Sequence, residues 1–170
     1  MGQYRRVGAG QDPYLSLEHI RDELAAEAED YPAAMEVLGA ALAAMKRAGT
    51  PVGVTAALAR AEGAVEAGGR WGDGYDHVLT VTAVGEEYHH YPRTPDSDQA
   101  PDPARPLTLA EVADDIDPAD DEFAALLQVL RALDAAGHAL AVEAIAPVYW
   151  KAEAIVRTRA GARLTIAVGD

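Results

Sequence analysis

The chain has 170 residues, a formal net charge of −14 and no cysteine. That length suits one domain and can bury a sizeable core without staples. The missing thiols exclude disulfides and thiolate metal sites, and the acidity opposes broad contact with nucleic acid or an anionic membrane, whose phosphates would be repelled.

Residues 1–14 are glycine-rich, carry Arg5 and Arg6, and read as a flexible arm before a single α+β domain over residues 15–170. Gly8-Ala9-Gly10 is no nucleotide loop, because no strand precedes it. No apolar leader follows a basic start, and the longest apolar run, residues 37–45, is too short to span a bilayer. The expectation is a cytoplasmic protein that meets no membrane. A first helix is expected over 16–29, with Ile20 and Leu24 inward. Pro32 opens a second helix that presents Met35, Leu38, Leu42 and Met45 and ends at Gly49. Thr50-Pro51 reads as a fresh cap, so a third helix is expected through Val54, Leu58 and Val65 to Gly68-Gly69. Its glycines at 53 and 63 weaken that reading.

A strand over 77–84 follows. Residues 85–106 hold five prolines among three aspartates, a serine and a glutamine, and read as a long loop or a boundary between a helical half and an αβ half. Thr108 and Glu111 form a capping box before a short helix. Asp117-Pro118 starts the strongest helix, 118–136, whose stripe is Phe123, Leu126, Leu127, Leu130 and Leu133, and which stops at Gly137. Three strands close the chain: 138–146, interrupted by Pro147; 148–158; and 162–168. The last two are joined by a short loop containing Gly161. No internal repeat is evident. The fold class expected is α+β, with N-terminal helices and a C-terminal helix packed on a roughly four-stranded, mainly antiparallel sheet.

Three readings of chemistry compete. Asp76, His77, Glu87, His89 and His90, beside Asp73 and Glu86, have the donor types for zinc, manganese or iron. A strand separates its ends by about 3.3 Å per residue, so one ion could join these groups only if the chain folds back after Gly85. The acidic run Asp114, Asp115, Asp117, Asp120, Asp121 and Glu122 has the composition of a calcium loop. It lacks glycine at the sixth position and glutamate at the twelfth, so it is no EF-hand. It reads either as helix capping with a solvated face or as a docking surface for a basic protein. Residues 107–168 also allow a winged-helix outline, but the acids that open its long helix forbid ordinary DNA readout. Among the aromatics, Trp150 alternates with Ala152 and Ala154 and is expected in the core, whereas Tyr88 and Tyr91 divide evenly between core and interface.

The function expected is therefore a non-enzymatic, self-associating protein-interaction or assembly module without a cofactor. Its acidic stretch would face a basic partner, with no direct nucleic-acid binding. The alternatives are a small metal-dependent enzyme or ligand binder using the histidine cluster, and an acidic inhibitor that imitates nucleic acid.

Overall fold

The computed structural model describes residues 16–24, 32–50, 52–59, 63–71, 74, 76–83, 93–94, 99–100, 102, 104–114, 121–148 and 150–169. Their elements are α1 (Leu17–Leu24), α2 (Pro32–Arg47), β1 (Gly53–Ala59), β2 (Ala64–Arg70), β3 (Asp76–Ala83), α3 (Leu109–Asp114), α4 (Asp121–Ala135), β4 (Ala141–Val148), β5 (Lys151–Arg157) and β6 (Arg163–Gly169). The strands make one antiparallel sheet of six in the order β1-β2-β3-β6-β5-β4.

The helix ends follow from local chemistry. Ser16 Oγ accepts the His19 N–H at 3.1 Å and caps α1. Thr108 and Glu111 close a reciprocal capping box on α3, at 3.1–3.3 Å. α2 and α4 both end on a glycine with positive φ, Gly49 and Gly137. In each the same two bonds satisfy the last carbonyls. Thr50 N–H reaches Met45 O and Gly49 N–H reaches Lys46 O; His138 N–H reaches Leu133 O and Gly137 N–H reaches Asp134 O.

One core lies between the helices and one face of the sheet. α2 packs on β2 and β3, α4 on β5 and β6, and the two helices touch each other. Leu38, Leu42 and Met45 from α2 and Leu126, Leu130 and Leu133 from α4 join the inward residues Val65, Ala67, Leu79, Val81, Ala154, Val156, Leu164, Ile166 and Val168. Inward and outward residues alternate along the strands, as the pleat requires.

Residues 53–70 correct the expected third helix. Residues 53–59 and 64–70 are β1 and β2, an antiparallel pair, and the sheet has six strands rather than about four. Alanine favours a helix, but four glycines interrupt the stretch, and a glycine inside a helix costs about 1 kcal/mol relative to alanine. As strands, β2 gains a full ladder with β3, from Ala64↔Thr82 to Arg70↔Asp76. Gly69 also lets β1 come close: a Cβ there would lie 2.7 Å from Gly53 C and 2.9 Å from Val54 Cα. Pro147 does not interrupt β4, because it sits on an edge strand, where its missing N–H costs no ladder bond. Leu107 N–H to Val142 O (2.7 Å) and Ile145 N–H to Arg93 O (2.9 Å) occupy other groups on that edge.

The chain does contain a repeat. Short helix, long helix and three-stranded meander occur twice: α1-α2-β1-β2-β3 and α3-α4-β4-β5-β6. The two meanders meet along β3 and β6 about a local twofold through the Thr80↔Ala167 pair, flanked by Leu79↔Val168 and Val81↔Ile166. The details repeat as well. Both first strands shift register at one place, between Val54 and Ala56 and between Val142 and Ala144. Gly74 and Gly161 both have positive φ, and their N–H groups bond Trp71 O and Thr158 O. Leu38, Leu42, Gly49, Glu66, Arg70 and Gly74 thus correspond to Leu126, Leu130, Gly137, Glu153, Arg157 and Gly161. These matches are spread thinly among alanines, so they become visible only once the strands are paired.

Candidate functional site

Two described places differ between these halves, and a third feature lies where the first half has no described counterpart. The first is on the sheet face turned away from the helices. In the first repeat Arg70 and Asp76 are cross-strand partners, with Arg70 Nε 3.0 Å from Asp76 Oδ1. In the second repeat the equivalent partners are two arginines, Arg157 and Arg163. The acid comes instead from the β4 bulge. Glu143, whose side chain is 1% exposed, lies 3.4 Å from Arg157 Nε and 3.3 Å from Arg163 Nη2. Its oxygens sit at ion-pair range without hydrogen-bond alignment. Two guanidiniums on one buried carboxylate leave local positive charge in an acidic chain. In the first repeat this bulge position is held by Thr55, whose hydroxyl donates to Gly68 O at 3.4 Å.

The second place is a groove of about 290 Å³. Val37 and Ala40 of α2 form one wall and Leu133, near the end of α4, another; Leu140 and the β5–β6 turn at Thr158 and Ala162 close it. Glu36, His138 and Arg159 stand exposed around it. In the first repeat the residue equivalent to Thr158 is Trp71, which is 2% exposed and belongs to the core cluster. Its ring meets His77 edge-on at 5.0 Å. An indole therefore fills in one half what a small threonine leaves open in the other.

The third place is the loop before α3. Arg93 donates its guanidinium to the carbonyls of Asp102 (3.2 Å), Glu143 (3.4 Å) and Arg105. Its own N–H bonds Gln99 O at 2.8 Å. Sequence reasoning passed over Arg93, since nothing in a proline-rich stretch marks one arginine as an anchor.

Of the expected metal set, Asp76 and His77 are neighbours on a strand and so point to opposite faces. Asp76 is exposed beside Arg70, and His77 is buried against Trp71. Glu87, His89 and His90, with Asp73 and Glu86, lie outside the described residues, among which no group of three potential ligands converges. Zinc or EDTA is expected to leave the melting temperature unchanged. A ligand of the folded state would raise it, so a zinc-dependent rise lost in His77→Ala or His89→Ala would restore the metal reading.

Of the acidic stretch, Asp114 at the end of α3 and Asp121 at the start of α4 are exposed, and Glu122 is half-buried. Asp115, Asp117 and Asp120, like Tyr88 and Tyr91, lie outside the described residues. Trp150 is not in the core. It is 79% exposed, because it sits in the β4–β5 turn and strand alternation begins again only at Lys151. No helix among the described residues is long and apolar enough to cross a membrane.

The fold defines a class, a two-repeat α+β protein with its long helices paired over a six-stranded antiparallel sheet. Comparison with family models, curated proteins and solved structures finds no match to the chain.

Proposed function

We propose that this chain is a non-enzymatic protein-interaction module whose acidic face, at the junction of α3 and α4, meets a basic surface on a partner. The observation that carries the reading is an excess of negative charge along the sequence. Residues 93–122 hold ten acidic side chains against two arginines. One of these, Arg93, directs its guanidinium to backbone carbonyls. Some of the acids have local work: Glu111 closes the α3 capping box, and Asp102 Oδ1 accepts the Ala104 N–H at 2.9 Å. Asp114 is exposed at the end of α3 and Asp121 at the start of α4. The helix dipole favours Asp121 in the first turn of α4 but disfavours Asp114 at the end of α3, so capping does not account for the whole stretch. Carboxylates this dense repel one another, and a basic partner would relieve that repulsion.

The test is reversal of Asp114, Asp115, Asp120 and Asp121 to lysine, with binding and melting measured on the same variant. Capture of a basic partner from the source cell should be lost, and native binding should weaken steeply above about 0.15 M salt, where the Debye length is about 8 Å. A reversed variant that still captures its partner, with only a lower melting temperature, would reduce the acidic run to a solvated face.

A further inference from the structure

We infer that the groove between α2, the end of α4 and the β5–β6 turn receives the Trp150 indole of a second copy of this chain. The inference rests on reading the chain as an interaction module and names one partner for it, itself. The local twofold carries the argument. Arg70 and Arg157 end equivalent strands, Gly74 and Gly161 make equivalent turns with the same backbone bond, and the residue between them that faces the helices is Trp71 in one half and Thr158 in the other. The scaffold around this position is the same in both halves, a helix pair crossing a meander, and in the first half it accommodates an indole completely. In the second half the position is lined by Val37, Ala40, Leu133 and Leu140 and stays open.

The chain has two tryptophans, Trp71 and Trp150, and Trp150 is the one large hydrophobic side chain exposed among the described residues. It sits on a hairpin turn beyond the end of the sheet, where it can reach into a neighbour. Its own groove lies by the β5–β6 turn, at the opposite end of β5, so the contact is between copies. The Glu36 carboxylate stands exposed at the groove, a polar rim around an apolar floor. Tryptophan anchors seated in preformed pockets are the residues on which interfaces most often depend. Reciprocal exchange of two tryptophans closes a dimer, whereas a one-way contact builds an open chain.

Sedimentation velocity on the purified full chain tests this over a concentration series. The wild type should associate, and association should strengthen as salt rises, because copies of a −14 chain repel one another. Trp150→Ala should weaken association at least tenfold, a loss of about 1.4 kcal/mol or more. Thr158→Trp, which copies the first repeat, should fill the groove from within and abolish association while melting no earlier than the wild type. In Trp71→Phe, where Trp150 is the sole indole, fluorescence should shift to the blue as the copies associate. A wild type that stays monomeric at every concentration overturns the inference. So does a Trp150→Ala chain that associates as well as the wild type. Either result leaves the acidic face untouched, since binding there weakens with salt and depends on Asp114 and Asp121 rather than on Trp150.

Discussion

Leu130→Ala should destabilise the protein by about 2–5 kcal/mol, measured as a lower denaturant midpoint at unchanged slope. Leu130 is 3% exposed and lies midway along the buried stripe of α4. Its counterpart under the local twofold is Leu42 of α2, and α2 and α4 pack against each other. Truncation removes transfer energy and leaves a cavity in the core. Surrounding helices seated on a continuous sheet have little freedom to close such a void. A substitution at the half-buried Leu127, one residue off the deepest line, should cost clearly less. An unchanged midpoint for Leu130→Ala would mean that α4 is not the helix on which the core is built.

Glu143→Ala should cost about 2–4 kcal/mol. Removing one partner from a buried ion pair typically costs about 3–5 kcal/mol, because the remaining charge is stranded. Here the stranded charges are Arg157 and Arg163, whose side chains keep 39% and 26% exposure. Water reaches them, so the lower part of that range and below is expected. Removing one of the two stranded charges should recover part of the loss: Glu143→Ala combined with Arg163→Ala should be more stable than the sum of the single changes predicts. Additive effects in that cycle would show that the carboxylate and the Arg163 guanidinium do not act on each other. The first repeat provides a control. Asp76→Ala breaks a pair whose side chains are 58% and 71% exposed, and should change stability by under about 1 kcal/mol.

The candidate sites were less legible than the fold. Asp114, Asp121 and Glu122 stood out in the sequence because like charges in a run need no tertiary knowledge to see. Asp76 and His77 stood out for their donor types, yet strand geometry sends neighbours to opposite faces, and composition cannot report that. Trp150 shared its parity with two core alanines, and only the position of the turn decided that it faces water. The groove had no signal at all. It exists because Thr158 stands where the other repeat has Trp71, and that comparison requires the pairing of β3 with β6.

What the sequence determined by itself is everything settled within about one turn of chain. Gly49 and Gly137 end their helices because only a residue comfortable at positive φ can close those last carbonyls. Thr108 and Glu111 start α3, the leucine stripe of α4 sets its buried side, and Gly161 turns β5 into β6, each through bonds or spacings local to the residues named. Tertiary structure decided the rest. β1 and β2 are strands because β3 offers β2 a ladder and β2 offers one to β1, not because alanine and glycine prefer one. Glu143 is buried because a bulge turns it toward two arginines on neighbouring strands. The twofold itself lies in the pairing of residues as far apart as Thr80 and Ala167. Local preferences amount to a few tenths to about 1 kcal/mol per residue, so where they are weak, contacts between distant segments choose the structure.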